Sequence, residues 1–569
     1  MKYTHIIKQA IVECLQEGQY PLITFELAKP KDLKHGDYAT NVAFKLAKEM
    51  GTDALSIGND LKKRLSVKLA DCVDRIEIVN DYINFFFTEQ VLQSIVLEAI
   101  LSGDTFCSGF VDDKRLRIVE FSSPNIAKPF TVGHLRSTII GDSLARLLKH
   151  AGCNVLKDNH IGDWGTQFGK MTVAIKKWGD EKKLMQSSEP VKDLVALYVK
   201  FHQEAEVDIA LEDEARAWFT RLENGDLEAT RIWYMCVELS MVEFEKIYKR
   251  LNVSFDTTNG ESFFQDKMDI VLQELREKNL SRIGEKGAEL VFFDEDTKLP
   301  PLMVLKQDGS TLYATRDLAT DRYRKETYGS DIVIINEVGG EQAEYFKQIF
   351  KTEELLGYFT KEQRVHVKHG LYKLKAGKMS TRAGNVILLE NVLDDGLEEV
   401  RKEVQKVPGK TISDDDIQKI AIGAVKFYDL FRSCEKNIAF SLEEMLNLKG
   451  DTGPYVQYAV VKINSLIEKA TEAGIYPDTF SNVSLGKPEI ILAQKIDGFG
   501  AALEMAVAKY APHYVAGYLI ELAREYNSYY AKNFIIKENN VAGLFVSTAV
   551  ASVLSLGLSL IGIEVPSEM

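Results

Sequence analysis

Glu120-Phe121-Ser122-Ser123-Pro124-Asn125-Ile126-Ala127-Lys128-Pro129-Phe130-Thr131-Val132-Gly133-His134-Leu135-Arg136-Ser137-Thr138 is the stretch on which the fold turns. A short apolar run, Leu116 to Phe121, ends at its start. Two prolines carry a loop across, and amphipathic spacing from Leu135 to His150 continues a helix that opens at Gly133-His134. Asn154 to Lys157 then resumes extended character, so the pattern is βαβ and predicts a parallel sheet. The unpaired N–H groups and the dipole at a helix start form an anion site by construction. Gly133 lets a nucleotide approach the backbone, and His134 in the first turn can donate to a phosphate oxygen. Taken alone, the same letters also describe a βα turn with an incidental histidine.

Working outward, Asp331-Ile332-Val333-Ile334-Ile335-Asn336 has the continuous hydrophobicity of a strand buried on both faces. Between the two runs lies a long charged insertion, roughly residues 178–250, whose mixed signs read most simply as a solvated helical face. Upstream, helical periodicity over Ile6–Cys14, Ala39–Lys48 and Ile57–Leu69 precedes the strand-like Tyr82–Phe87, a small α+β unit. The polar cluster Asp112-Asp113-Lys114-Arg115 marks a boundary near residue 112. After about residue 405 the chain reads as helical to its end, punctuated by Gly450-Asp451-Thr452-Gly453-Pro454 and Gly486-Lys487-Pro488. The expected domains are therefore 1–112, 113–405 with its insertion, and 406–569.

Composition agrees with this division. A chain of 569 residues exceeds what one core organises, and 45% hydrophobic, 27% charged, 38 Gly and 13 Pro exclude collagen-like, coiled-coil-only and disordered chains. Seventy basic against 84 acidic residues give −14, so a nucleic-acid partner would need a local basic track. The six cysteines contain no CxxC pair, which suggests neither a zinc knuckle nor a disulfide framework and fits a reducing compartment. The N-terminus, helix-like with Glu13 and Glu17, does not have the form of a secretion signal. Val541 to Ile563 runs 23 residues without a charge, long enough to span a bilayer. Its serines, its three glycines and the lack of an aromatic belt favour a buried bundle helix over a membrane anchor.

A second segment carries chemistry: Lys375-Ala376-Gly377-Lys378-Met379-Ser380-Thr381-Arg382-Ala383-Gly384-Asn385. A glycine-flanked basic loop can fold over a triphosphate and supply cations as charge develops on pyrophosphate. By itself it is more simply a solvated basic loop.

Together, some 245 residues apart on a parallel-sheet pattern, the two segments resemble the "HIGH" and "KMSKS" motifs of class I aminoacyl-tRNA synthetases. Ser123–Pro129, Gly133–Thr138, Gly162-Asp163-Trp164-Gly165-Thr166-Gln167-Phe168-Gly169, Asp308-Gly309-Ser310-Thr311-Leu312-Tyr313-Ala314-Thr315-Arg316-Asp317 and Asp451–Ala459 are similar to blocks of the arginyl-tRNA synthetases. The blocks run from about residue 35 to the C-terminus. The resemblance implies an α/β architecture: a Rossmann-like parallel-sheet catalytic domain, an α+β N-terminal domain contacting the tRNA D-loop, and an all-helical anticodon-binding bundle. It implies an arginine–tRNA ligase that makes arginyl-adenylate from L-arginine and ATP and passes the arginyl group to the 3′ end of tRNA(Arg).

The same resemblance assigns residues. Lys128, His134, Lys378 and Arg382 would stabilise developing charge. Pro124, Asn125, Thr131, Gly133, His134, Met379, Ser380 and Thr381 would bind ATP. Ser122, Asn125, Asn159, Glu261, Tyr313 and Asp317 would hold the amino acid, with Ser122 and Asn125 on its backbone, Asn159 on its α-amino group and Glu261 as a second carboxylate beside Asp317. Asn84 and Phe86, and Tyr526 and Tyr530, would meet tRNA. Mg²⁺ would accompany ATP, with no protein metal ligand assigned, and the chain would act as a cytoplasmic monomer without a membrane. His160-Ile161-Gly162-Asp163 imitates the ATP motif by accident, and His160 reads as structural; His35, His366, His369 and His513 receive no role.

Physical chemistry supports the arginine pocket. A guanidinium is planar, permanently charged and carries five donors, so selecting it takes carboxylates at fixed angles and a flat neighbour. Tyr313 and Asp317, spaced i, i+4, share one helical face. Surface ion pairing of Arg316, Asp317, Asp321 and Arg324 is the plainer alternative. Two departures stand out: Thr131 replaces the first His of one motif and Thr381 the second Lys of the other. Loss of one transition-state donor costs about 2.7–4 kcal/mol, and Lys128 is the candidate to compensate. These departures also motivate two other readings, a catalytically weak tRNA-binding or arginine-sensing paralogue and a class I synthetase for another amino acid such as cysteine.

Overall fold

The β-hairpin Val73–Phe87 turns on Asn80 and Asp81, both with positive φ (51° and 64°), the backbone a tight two-residue turn between twisted strands requires. In this computed structural model, which describes residues 2–30, 32–284, 286–373, 387–407, 409, 411–447, 449–475 and 483–569, that hairpin belongs to an antiparallel sheet. Its strands are β1 (Leu27–Ala28), β2 (Tyr38–Thr40), β3 (Val73–Val79) and β4 (Tyr82–Phe87), in the order β1-β2-β4-β3. Strand alternation sends Ile83, Phe85 and Phe87 into the apolar core and Phe86 to the other face. Helix Glu89–Ser102, capped by Thr88, packs not on this sheet but on helices Lys487–Ala508 and Val541–Leu560.

The central sheet is built from β5 (Leu116–Glu120) and β6 (Asn154–Asp158) and, after a small antiparallel meander of β7 (Ser281–Ile283), β8 (Glu289–Val291) and β9 (Leu302–Leu305), from β10 (Val333–Gly339) and β11 (Arg364–His369). Its order is β11-β10-β5-β6, parallel throughout. The order reverses beside β5, and the crevice at the strands' carboxyl ends there is where open α/β sheets bind ligands. Helix Val132–His150 lies so close on β5 that a Cβ at Gly141 would sit 2.1 Å from the Phe121 ring. A short parallel pair, β12 (Tyr372–Lys373) with β13 (Ile438–Ala439), links this domain to the next.

The insertion is more than a solvated face. Helices Pro190–Ala205, Ala210–Glu223 and Leu227–Arg250 bury Leu194, Phe201, Trp218 and Ile232 among themselves and against helix Gln167–Trp178. The C-terminal part is a bundle in which Val541–Leu560 is packed by helices Gly453–Glu472, Lys487–Ala508 and His513–Tyr530. That helix has the length and hydropathy to cross a membrane, and 72% of its most apolar window is buried inside the protein. Ser547 and Ser552 turn their hydroxyls back on the helix, donating to Gly543 O at 2.6 Å and to Thr548 O at 3.1 Å.

Candidate active site

The loop after β5 is strained and heavily braced. Ser122, Ser123 and Ala127 all occupy the left-handed region (φ 72°, 45° and 56°), an arrangement that persists only where surrounding structure over-determines it. The Ser122 N–H donates to Ser137 Oγ at 2.9 Å, and Ser122 Oγ lies 2.8 Å from Thr138 Oγ1 and 2.9 Å from Tyr248 Oη. Asn159 Oδ1 accepts the Ser123 N–H at 3.1 Å while its Nδ2 donates to Tyr248 Oη at 3.1 Å. The Ala127 N–H donates to Ser240 Oγ at 3.0 Å. Ser122 and Asn159 are buried, with Ser122 Oγ and both Asn159 amide atoms engaged in bracing the loop. Tyr248 and Ser240 went unnoticed in the sequence. Both come from insertion helix Leu227–Arg250, more than 100 residues away, with no local signal to mark them.

The helix start sits where the pattern places it. Gly133 is exposed in the first turn. His134 Nδ1 accepts the Thr131 N–H at 3.0 Å, and burial together with the Lys128 ammonium lowers the imidazole to about 4. A neutral ring with Nδ1 as acceptor carries its proton on Nε2. Thr131 thus serves as N-cap of helix Val132–His150 and orients this ring, with its Oγ1 3.1 Å from Nδ1. Asn125 pairs with Gly162, whose N–H donates to Pro124 O at 3.0 Å; a Cβ at Gly162 would meet Asn125 Oδ1 at 2.6 Å. Pro124 is therefore a buried strut, whereas Asn125 stays partly exposed. His160 Nδ1 lies 3.1 Å from Asn259 O, a structural contact.

The residues expected to hold the amino acid lie where helix Tyr313–Tyr328 packs on the Glu261 turn. Tyr313 is 69% exposed at the helix start, with Asp317 one turn on and accepting a hydrogen bond from the Tyr345 hydroxyl. Burial raises the Asp317 carboxyl to about 6, Tyr345 opposing. Glu261 is held by its N–H to Ile161 O at 3.0 Å and by Asp163, which accepts from the Ser262 N–H and hydroxyl at 2.8 and 2.6 Å. Burial raises the Glu261 carboxyl to about 7, against the Arg316 cation. The Glu261 carboxylate already faces that cation, with Arg316 Nη1 3.4 Å from Oε2. The surface-pair alternative fails for Arg316, Asp321 and Arg324, which are buried; Arg324 is ion-paired to Glu120, Asp158 and Asp321 beneath the recess.

Lys378, Met379, Ser380, Thr381 and Arg382 lie outside the described residues. The segments on either side of theirs are tied to the helix start. The Val132 N–H donates to Ile387 O at 3.1 Å and the Leu389 N–H to Phe130 O at 2.9 Å. Arg136, missed by sequence reasoning, donates to Gly370 O at 2.6 Å and to Lys436 O at 2.8 Å and pairs with Asp429 at 2.9 Å, where the Tyr372 hydroxyl also donates at 2.6 Å.

The four residues expected to meet RNA divide. Asn84 lines a cavity of about 310 Å³ with Lys29, His35, Asn41 and Tyr82. Phe86 is 7% exposed because the Arg75 guanidinium lies 3.7 Å over its ring, so no open face is presented. Tyr526 is fully buried and donates to Ser547 Oγ at 3.2 Å, which removes it as a stacking platform. Tyr530 is 36% exposed with Lys462 Nζ 4.6 Å from its ring centre, and Phe534, unremarked in the sequence, is 60% exposed beside Lys537.

Three family models match the chain: the arginyl tRNA synthetase N terminal domain over residues 1–87, the catalytic domain of tRNA synthetases class I (R) over 96–442, and the DALR anticodon binding domain over 456–569. The arginine–tRNA ligase of Exiguobacterium sibiricum is 37% identical over 100% of this chain and 99% of its own length. That of Clostridium perfringens is 40% identical over 95% of each. Among solved structures, the arginyl-tRNA synthetase of Plasmodium falciparum superposes with TM-score 0.81 at 23% identity, over 100% of this chain and 98% of that one. The Thermus thermophilus arginyl-tRNA synthetase gives 0.80 at 24%, over 99% of each, and at such identities the likeness is one of fold.

Proposed function

This chain belongs to the arginyl-tRNA synthetases of class I, and we propose that the loop and recess described above carry out that family's two-step reaction in the following way. The arginine carboxylate attacks the α-phosphorus of ATP in line, pyrophosphate leaves, and arginyl-adenylate forms. A terminal ribose hydroxyl of tRNA(Arg) then attacks the activated carbonyl and AMP leaves. No enzyme nucleophile is needed, so catalysis consists of positioning and charge stabilisation.

His134 is the donor in this reading, its Nε2–H aimed by the Nδ1 bond to Thr131. The amides at Gly133 and the Lys128 ammonium add positive potential, and Lys378 and Arg382 supply further cations from their loop. Asn125 contacts the substrates, and Asp317 and Tyr313 receive the guanidinium. Mg²⁺ enters as the counter-ion of the triphosphate. Asn84, with Phe86 once Arg75 moves aside, and Tyr530 with Phe534 are assigned to tRNA. The chain is assigned to the cytoplasm, whose reducing conditions fit its six free cysteines, and to action as a monomer.

The observation that carries the proposal is a neutral, oriented imidazole at a helix start, in a chain that also sets the Asp317 carboxylate one helical turn from the exposed Tyr313. ATP–pyrophosphate exchange with L-arginine, run with and without tRNA(Arg), tests it. Exchange specific for arginine is expected. No exchange in either condition, with tRNA binding intact, would favour the arginine-sensing or tRNA-binding reading.

A further inference from the structure

Arg136, two residues beyond His134 on helix Val132–His150, is 1% exposed and gives its whole guanidinium to two other parts of the chain. Besides the bonds of Nη1 to Gly370 O and Lys436 O, Nη2 donates to Cys434 O at 3.1 Å, and Nε lies 2.9 Å from Asp429. Gly370 stands two residues before β12 and Lys436 two before β13, while Asp429 belongs to helix Asp414–Leu430, which packs on bundle helix Gly453–Glu472. The two strand entries are closely fitted: the Gly370 N–H donates to Cys434 O at 2.9 Å, the Ile438 N–H donates to Leu371 O at 3.0 Å, and a Cβ on Gly370 would lie 2.5 Å from the Lys436 carbonyl. A planar fork of five donors can hold three carbonyls and a carboxylate at once. A lysine ammonium, a point charge on a flexible stem, cannot span them.

The same helix start also holds the chain from Ile387 onward, through the Val132–Ile387 and Leu389–Phe130 backbone bonds and a bridge between Thr131 and Leu388. The described chain before residue 374 and after residue 386 is thus tied within Phe130–Arg136, by the Arg136 side chain on one side and by backbone on the other. A second buried charge joins the same two helices differently. Lys426, one turn before Asp429, donates to Leu251 O at 2.7 Å and to Gly562 O at 2.6 Å. A Cβ on Gly562 would lie 2.8 Å from Lys426 Nζ and 3.1 Å from Asp142 Oδ2, so Lys426 and Asp142 of helix Val132–His150 face one point. That contact reaches the end of the insertion and residue 562, whereas Arg136 reaches the entries of β12 and β13.

Resting on the proposed two-step reaction, we propose that Arg136 is a positioning residue for the activation of ATP, fixing β12 and helix Asp414–Leu430 against the helix that carries His134. It touches no reacting atom. Its effect is to keep one separation between the helix start, where the donor groups lie, and the strand from which the chain continues toward Lys378 in sequence. Stabilising charge on a triphosphate depends on groups held at fixed distances, and a joint that gives by a fraction of its length misplaces them without removing any.

Arginine-dependent ATP–pyrophosphate exchange in the full-length chain, run with tRNA(Arg) present, tests this, and L-arginine binding is measured separately by calorimetry. Arg136→Lys should lower kcat/KM for ATP by about tenfold to a hundredfold, the cost of a misplacement near 1 Å. Its affinity for L-arginine should stay within a fewfold, because Asp317 is anchored elsewhere, through Tyr345. Amide hydrogen exchange at Gly370 and Ile438 should quicken in the same variant. Tyr372→Phe, a milder change that removes only the second bond to Asp429, should move the same quantities in the same direction by a fewfold. Lys426→Met loosens the same pair of helices away from β12, so it should lower the melting temperature and leave ATP kinetics within a fewfold. Unchanged ATP kinetics in Arg136→Lys, an equal loss of arginine affinity, or the same ATP defect in Lys426→Met would overturn the assignment, the last by showing that loose helix packing is enough. Absence of exchange in the unmodified chain would instead remove the reaction on which the assignment rests.

Discussion

His134 Nδ1 accepts the backbone N–H of Thr131, a 3.0 Å bond that decides which ring nitrogen is left to donate. Because burial and Lys128 hold the imidazole at about 4, the ring is neutral well above that pH. In the proposed reaction it is a hydrogen-bond donor and not a titrating acid. Arginine-dependent exchange by His134→Ala should therefore fall by roughly 10²–10³, the cost of one transition-state donor. The unmodified rate should show no acid limb near the ordinary histidine value of about 6.5. A limb there that vanishes in His134→Gln would show a charged imidazole at work and contradict this geometry.

Asn159→Ala separates bracing from substrate contact. The side chain holds the Ser123 N–H and one side of the Tyr248 hydroxyl, which also meets Ser122 Oγ, so its removal strands the Ser123 N–H at about 1–3 kcal/mol. Thermal unfolding should shift downward. Tyr248→Phe, which lies outside the recess but shares the network, should reduce exchange in the same way by loosening the loop at Ser122. If Asn159→Ala keeps its melting temperature and only its arginine KM rises, the residue touches substrate after all.

On the bundle, two tyrosines four residues apart should behave oppositely. Tyr526→Phe removes a buried bond to Ser547, and the expected result is a loss of about 1 kcal/mol in stability with tRNA affinity unchanged. Tyr530→Ala and Phe534→Ala remove exposed rings. Filter binding should show each weakening tRNA by about 1–3 kcal/mol, the range for one base stacked on an aromatic ring, with unfolding unaffected. A Tyr526→Phe variant that loses tRNA while the other two retain it would move the RNA surface elsewhere.

What could be read from the letters follows the range of the interactions concerned. The βαβ unit, the helix start at Gly133-His134 and the Tyr313/Asp317 face depend on residues within a few positions of one another, and they are legible. The hairpin turn at Asn80-Asp81 is local too. The brace at Ser122 is not, because it joins β5 to Tyr248 and Ser240 across the insertion, and charge patterning there shows only the solvated side of helices that also have a buried one. Three consecutive aromatics at Phe85-Phe86-Phe87 announce a strand, but whether Phe86 is open depends on Arg75 from the neighbouring strand. The same holds for Glu261, whose partner Arg316 lies 55 residues on.

The recess also ties stability to pH. Asp317 and Glu261 are acids whose folded values, about 6 and about 7, lie above their ordinary values of 3.8 and 4.5. The folded chain thus holds protons that the unfolded chain would release. The stabilisation these two sites contribute is complete below their ordinary values and is lost as pH rises through about 6 and 7. Bound arginine reverses the balance, since its cationic groups favour both carboxylates in the charged form, and it should therefore stabilise more strongly at higher pH. Melting temperatures of the unmodified chain and of Asp317→Asn, each with and without L-arginine, measure this. Asp317→Asn is expected to gain on the unmodified ligand-free chain between about pH 4 and pH 6, the span between the ordinary and the folded value of the native carboxyl, and to hold that gain at higher pH. It is also expected to lose most of the pH-dependent gain from arginine. A constant difference between the two chains over that range would mean that Asp317 ionises without cost and that its burial does not set the affinity of the recess.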